Sequence, residues 1–291
     1  MSTDISNLDR PKLNGSGDDP DFPPFPEELL PNENPVETFS RAEVLLSHPA
    51  EPELFVRHEG VPAHDQDVLK RCRISLIGAG GLNGWTALGL VRSGATMVTI
   101  IDDDRVDRSN LSRQFFLDND LGHVKGVQLA RNIAGHAMAG GTVTGVGLNF
   151  ADAMERYPLP ADVFVAGVDN NECRLQVVRE ARRRQIPAVF TMLSTDGMRC
   201  QSFLQGSRRP GPCLWCALPN LDPEKIMPCA SAIVTSCYLA ASFAIYFTHR
   251  AIMGWGNLKP FNWREADLSG MTPDRTGFVQ KRQDCPICRE L

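Results

Sequence analysis

Ile74-Ser75-Leu76-Ile77-Gly78-Ala79-Gly80-Gly81-Leu82 is the stretch that decides the fold. A short apolar run, Ile74 to Ile77, enters a glycine cluster, and Leu82 to Val91 continues as a helix. Strand, tight turn and helix in that order bring backbone N–H groups and the positive end of a helix dipole to one spot, which suits a phosphate. Gly78 and Gly80 permit the turn and a close approach; Gly81 completes the cluster. Nicotinamide, flavin and nucleotide enzymes all use such a loop, so it selects a fold and a phosphate rather than one ligand. Asp102 stands twenty-four residues beyond Gly78, at the end of the next apolar run, Met97 to Ile101. An acidic side chain there can take ribose hydroxyls.

Outward from this unit, strands and helices alternate. The pattern predicts a helix over about Val124 to Ala137, strands near Val143 to Leu148 and Val163 to Val168, a helix with a basic outer face over Asn171 to Gln185, and a strand over Pro187 to Met192. The expected class is α/β: a Rossmann-like, mainly parallel sheet with helices on both faces, and ligands at the carboxyl ends of the strands. Past Ser194 the alternation stops, and proline, glycine and cysteine dominate up to an apolar stretch from Ser231 to Met253. Ser231, Thr235, Ser236, Ser242, Thr248, His249 and Arg250 interrupt that stretch, which reads as a buried or interface helix and not as a membrane span. At the other end, residues 1–50 read as a flexible, polar and proline-rich tail. A short helix is expected within it, because Ser40 and Glu43 have capping-box spacing ahead of Val44, Leu45 and Leu46.

The 291 residues are 42% hydrophobic, enough for one sizeable core, and a net charge of −5 without a lysine or arginine block argues against a nucleic-acid partner. The start, MSTDISNLDRPKL, has neither the basic residues nor the apolar run of a secretory signal. Nine cysteines in such a chain suggest a reducing, cytoplasmic setting with metal binding or catalysis as their use. Cys213-x-x-Cys216 and Cys285-x-x-Cys288 have the form of two zinc knuckles, and with no histidine at ligand spacing a closed, structural zinc site of four cysteines is expected in the smaller C-terminal part. Cys72, Cys173, Cys200 and Cys237 read as small core hydrophobes.

The segment Asp102-Asp103-Asp104-Arg105-Val106-Asp107-Arg108-Ser109-Asn110-Leu111-Ser112-Arg113-Gln114, followed by Gly122-His123-Val124-Lys125, resembles the ThiF/MoeB/HesA-type ubiquitin-activating-enzyme superfamily, with its strand-end Asp, N-L-x-R-Q and G-x-x-K. Val168-Asp169-Asn170 with Arg174 is similar to that family's D-N-x-x-x-R, and both C-x-x-C pairs fall in the family's positions. The resemblance runs from about Arg57 to the C-terminus. It implies ATP and Mg²⁺ as cofactors, and residue types that fit transfer at an α-phosphate: Arg113 and Lys125 as fixed cations, Asn110 as a neutral hydrogen-bonding group, Asp102 at the ribose, and Asp169 as the magnesium ligand. Asp104 and Gln114 join this nucleotide-binding set. One departure stands out: where the family reads G-x-G-G-x-G, the last glycine is Asn83, with Gly84 next.

By the same resemblance, residues 51–291 form the adenylation domain. Its nucleotide-binding half is about 70–195, and its crossover, zinc and carrier-binding half about 196–291. The implied reaction is adenylation of the C-terminal glycine of a ubiquitin-like or sulfur-carrier protein of β-grasp fold. The implied enzyme is a homodimer in which an upstream arginine, here matched by Arg57, reaches into the partner's site. Cys229 lies where several relatives carry an acyl-accepting cysteine, ahead of the long helix. Relatives that adenylate a short peptide offer a second reading. A nicotinamide oxidoreductase would share Gly78, Gly80 and Asp102 but would not need Asn110, Arg113, Lys125 and Asp169 together. A non-catalytic scaffold would leave gaps at those positions, and none is missing.

Overall fold

The computed structural model describes residues 35–41, 54–157, 159–207, 211–219, 221, 231–254 and 261–290. Strand β1 (Val36–Ser40) is followed by helix α1 (Gln66–Arg71) and then by the decisive unit, β2 (Arg73–Ile77) and α2 (Gly81–Arg92). Next come β3 (Met97–Ile101), α3 (Lys125–Ala134), β4 (Thr142–Val146), α4 (Phe150–Arg156), β5 (Val163–Ala166), α5 (Asn171–Arg184) and β6 (Ala188–Leu193). The C-terminal part adds β7 (Arg199–Gln205), α6 (Leu214–Ala217), α7 (Val234–Met253), β8 (Trp263–Asp267), β9 (Arg275–Gly277) and α8 (Pro286–Glu290).

All strands join one sheet in the order β1-β4-β3-β2-β5-β6-β7-β8-β9. The central strands, from β4 across to β6, pair in parallel, whereas β1 and the run β7, β8, β9 are antiparallel additions at the two edges. The parallel α/β centre matches the expectation from sequence. Two features differ from it. Residues 36–40, read as part of the tail, pair in register with β4, Val36 opposite Val146 and Ser40 opposite Thr142. Beyond Arg41 the helix expected after Ser40 falls outside the described residues. The region past Ser194, where the expected alternation stops, carries three antiparallel strands that extend the sheet.

Ile74, Leu76 and Ile77 are all buried, as a strand covered on both faces requires. Ile74 and Leu76 pack with Ile100, Leu90 and Val91 of α2, Leu129 and Ile133 of α3, and Phe247 of α7. Ile77 faces the opposite layer, where Phe150 of α4 and Leu175, Val178 and Ala181 of α5 meet Phe164 and Phe190. The expected buried helix over 231–253 is α7, packed in the first of these layers; among the described residues no helix is long and apolar enough to cross a membrane.

Two contacts bring this scaffold close around the carboxyl ends of β2, β3 and β5. α3 lies flush on the sheet: a Cβ at Gly126 would stand 2.5 Å from the Val146 carbonyl and 2.8 Å from that of Asp102, and one at Gly145 would stand 2.5 Å from Val127 Cα. Asn83, at the position of the missing glycine, is fully buried. Its Nδ2 donates to the carbonyls of Ile77 (2.7 Å) and Val165 (3.1 Å), linking β2 to β5 where the strand order reverses.

Asn83→Gly, which restores the family's pattern, should therefore destabilise the protein. It removes two buried hydrogen bonds and places a flexible residue inside a helix, a loss of roughly 1–3 kcal/mol. A thermal melt should shift down by several degrees; an unchanged or raised Tm would show that the bridge contributes nothing.

Candidate active site

The strand order reverses between β2 and β5, and a cleft of about 890 Å³ opens there. Its floor is the glycine loop. Gly78 has φ +93°, a conformation that excludes ordinary side chains, and a Cβ there would also press on Val168 at 3.0 Å. A Cβ at Gly81 would collide with Cys237 Sγ of α7 at 2.7 Å, so this glycine serves helix packing. Gly80 is different: it is the N-cap of α2, makes no side-chain cap, and its nearest neighbour for a Cβ is Gln114 Nε2 at 4.0 Å. The first N–H groups of α2 thus open on the cleft, ready for an anion.

Asp102 leaves the end of β3 and turns back over the loop, accepting from Ala79 N–H at 2.6 Å and from Asp104 N–H at 2.9 Å. Burial raises its pKa to about 6, against the opposing pull of the Ala79 N–H and of Lys125. Lys125, the first residue of α3, is almost wholly buried, and its Nζ meets Asp104 Oδ2 at 2.9 Å. Asp104, expected in the nucleotide set, therefore holds the lysine.

Asn110, Arg113 and Gln114 of the N-L-x-R-Q segment line the cleft. Asp107 and Asn110 cap one another in a 3-10 turn, with Asn110 Oδ1 accepting from Asp107 N–H at 3.0 Å. Arg113 Nη1 donates to the Ser109 carbonyl at 2.7 Å. Gln114 is buried, and its Oε1 has no partner among the described residues. The Gln114 side chain meets Gly80 through its Nε2, 4.0 Å from where a Cβ at Gly80 would stand. Across the cleft, Asp169 follows β5 and lines the wall beside Arg174. Arg174 braces that turn by donating to the Val168 carbonyl (2.6 Å) and Asn171 Oδ1 (2.7 Å). The structure thus gathers Gly78, Gly80, Gly81, Asp102, Asp104, Asn110, Arg113, Gln114, Lys125 and Asp169 around one cleft.

Two further residues expected from the sequence are not among these. Arg57 lies on an exposed 3-10 turn, Val56–His58, and does not line this cleft. Cys229 lies outside the described residues; Ser231, two positions on, donates its N–H to the Thr195 carbonyl at 3.0 Å on the rim. Cys173 and Cys237, expected as core hydrophobes, line the cleft as well. Burial, with Asp102, Asp103 and Asp169 nearby, pushes the Cys173 thiol up to about 12, and burial also raises that of Cys237. Both are neutral thiols near neutral pH. Cys173 fills a variable position of Asp169-Asn170-x-x-x-Arg174, whereas Cys237 belongs to no motif and is brought to the cleft by the fold alone.

The two C-x-x-C pairs converge near the C-terminal end of α5. All four sulfurs lie within 4.8 Å of one another, with separations of 3.9 Å for Cys213–Cys216, 3.5 Å for Cys213–Cys285, 3.8 Å for Cys216–Cys288 and 3.4 Å for Cys213–Cys288. A tetrahedral site with metal–sulfur bonds of about 2.3 Å has edges of roughly 3.8 Å, so the four thiols fit such a metal. Arg182 of α5 supports the first knuckle by donating from Nη2 to the carbonyls of Gly211 and Pro212, each at 2.7 Å.

Residues 55–287 match the ThiF family. The sulfur carrier protein adenylyltransferase of Thermus thermophilus is 28% identical over 77% of this chain and 84% of its own length. The SAMP-activating enzyme E1 of Haloferax volcanii is 25% identical over 81% of this chain and 88% of its own. Among solved structures, Escherichia coli MccB with AMPCPP and MccA superposes with a TM-score of 0.66 at 20% identity, over 83% of this chain and 76% of that one. With the family match spanning the cleft, its motifs and the cysteines up to Cys285, the chain belongs to the ThiF family and is an enzyme of the adenylyltransferase class.

Proposed function

We propose that this enzyme adenylates the C-terminal glycine carboxylate of a ubiquitin-like or sulfur-carrier protein, with ATP as the nucleotide. The observation that carries the proposal is the convergence on one cleft of the open N-terminus of α2, two cationic side chains and carboxylates at two strand ends. In the reaction a carboxylate oxygen attacks the α-phosphorus, the bond from that phosphorus to the bridging oxygen breaks, and pyrophosphate leaves with the electron pair. A carboxylate is a poor nucleophile toward a polyanion, so the protein must hold it in line and offset the charge on the departing group. Arg113 and Lys125 supply that charge, the α2 N–H groups bind phosphate, and Asp102 takes the ribose. Asp169 would hold Mg²⁺, which when bound neutralises charge on the triphosphate. A nicotinamide enzyme has no use for this set of cations, and Gln114 and Asn110 add polar groups suited to a charged ligand.

Three further assignments belong to the same reading. Cys213, Cys216, Cys285 and Cys288 hold one Zn²⁺, a closed site whose work is structural. Cys229 receives the activated acyl group from the adenylate as a thioester, its sulfur displacing AMP. The enzyme acts as a cytoplasmic homodimer, with Arg57, exposed and away from its own cleft, directed to the partner's.

Lys125→Ala and Asp169→Ala should each lower carrier-dependent exchange of labelled pyrophosphate into ATP by about 100-fold or more, because a preorganised charge in such a site is worth ~3 kcal/mol. Cys229→Ala should keep the exchange and lose any thiol-labile adduct. Exchange that survives both charge removals would mean the site is misassigned; exchange driven by a short peptide and by no glycine-tailed protein would replace the carrier with the peptide. Purified protein should contain one zinc per chain, and Cys285→Ser should lower metal content and Tm together. Metal-free protein of full stability would refute the zinc assignment. Because Asp102 titrates at about 6, its ionised, accepting form is lost as pH falls through that value. Adenosine affinity, read by calorimetry, should weaken over that range in the wild type and stay flat in Asp102→Asn; a flat wild-type profile would argue against the ribose contact.

A further inference from the structure

Arg113 sits on a stretch, residues 111–117, that has no helix or strand of its own. A long cationic side chain on such a stretch is placed accurately only if its backbone is tied to something rigid. Three ties are present. Arg113 N–H donates to the Asn110 carbonyl at 3.1 Å, its guanidinium donates to Ser109, and its own carbonyl accepts from the indole Nε1–H of Trp85 at 3.0 Å. The first two are local and shape the loop. Only the third refers Arg113 to the helix whose N-terminus opens on the cleft, since Trp85 stands one turn beyond Gly81 on α2.

The indole is itself held. Phe115 meets it edge to face at 5.1 Å between centroids, and Tyr238 of α7 does so at 4.6 Å. Tyr238 follows Cys237, the residue packed on Gly81. The phosphate-binding end of α2, the cationic loop and the start of α7 therefore meet at one side chain, and that side chain does not line the cleft.

We propose that Trp85 is the positioning residue that sets Arg113 against the phosphate-binding end of α2. It acts on the enzyme's hold on the triphosphate and not on the nucleoside. The inference rests on the reading of Arg113 as a triphosphate contact. Trp85→Phe keeps an aromatic ring between Phe115 and Tyr238 but removes the donor, so the Arg113 carbonyl loses its tie to α2.

The test is calorimetric titration of MgATP and of AMP into the full chain, as wild type, Trp85→Phe, Arg113→Ala and the double variant. One neutral hydrogen bond sets the expected scale: Trp85→Phe should weaken MgATP binding by about 3- to 10-fold and change AMP binding by less than about twofold. Arg113→Ala should weaken MgATP binding further, and the double variant should be no weaker than Arg113→Ala alone, as two residues acting in series require. Equal losses for MgATP and AMP would make Trp85 merely structural and overturn the proposal. So would multiplied losses in the double variant, or an unaffected Trp85→Phe beside a weakened Arg113→Ala. Arg113→Ala with unaltered MgATP affinity would instead overturn the reading of Arg113, and the inference with it. If Trp85→Phe melts many degrees below wild type, 3-benzothienylalanine at position 85 gives the same comparison, because it keeps the bicyclic ring and lacks the N–H donor.

Discussion

The cleft depends on how closely α3 approaches the sheet. At Gly126 and Gly145 helix and strand backbones are so near that neither position has room for a Cβ. This closeness lets the N–H groups of Lys125 and Gly126 reach the carbonyls of Asp104 and Asp102, at 2.7 Å and 3.3 Å. Lys125 is thereby delivered to the end of β3 at a fixed height, and its ammonium lies in the same cleft as the open end of α2. A side chain at Gly126 would lift the helix and carry the lysine with it. Helix propensity alone would favour alanine there by up to about 1 kcal/mol, so glycine at this position is explained by the contact.

Around that fixed lysine the carboxylates divide their roles by burial. Asp104 is largely exposed and pairs with the lysine, with side-chain exposures of 71% and 10% respectively. Asp102 is drawn against the glycine loop, where the Ala79 N–H and the lysine offset part of the burial that raises its pKa to about 6. It therefore keeps its charge near neutral pH with little margin. A ligand that brings hydroxyl donors to Asp102 would strengthen the ionised form, and a polyanion near Lys125 would compete with Asp104 for the ammonium. The arrangement suits a ligand with a hydroxyl-rich part next to a highly charged one.

Much of this was legible in the sequence because the decisive residues obey local rules. The run Ile74 to Ile77 is apolar but for the small, buried Ser75, as suits a strand covered on both faces, and the glycines and the strand-end Asp102 follow from turn and helix geometry. The edges of the sheet were not legible. β8 reads Trp-Arg-Glu-Ala-Asp, with no apolar run, and β1 is a five-residue edge strand whose partner lies more than a hundred residues away. In β7 the buried positions include Ser202 and Gln205, which satisfy part of their polarity inside the fold: Ser202 Oγ lies 2.9 Å from Thr191 Oγ1, and Gln205 Nε2 donates to the Val178 carbonyl. Asn83 was legible only as a departure; its role as a bridge between two strands needs the strand order. Trp85 carried no signal, because its partner is a backbone carbonyl twenty-eight positions away.

The cysteine cluster shows the same dependence on placement. Cys213 and Cys285 are separated by 72 positions, and closing that span costs chain entropy that four thiols, as weak hydrogen-bonding groups, repay poorly. What fixes the first knuckle is Arg182, a guanidinium only 4% exposed that donates to two consecutive carbonyls just ahead of Cys213. Arg182 lies near the end of the same helix, α5, whose first turn is capped by Asn170, next to Asp169 in the cleft. A rigid helix of fourteen residues thus connects the two places where metal ions are proposed. Fixing the knuckle with a buried arginine lowers the ordering cost that a metal must overcome on binding. The proposed zinc would then lock the C-terminal segment onto a helix whose other end is anchored at the cleft, so that both ends of α5 are held by the same fold.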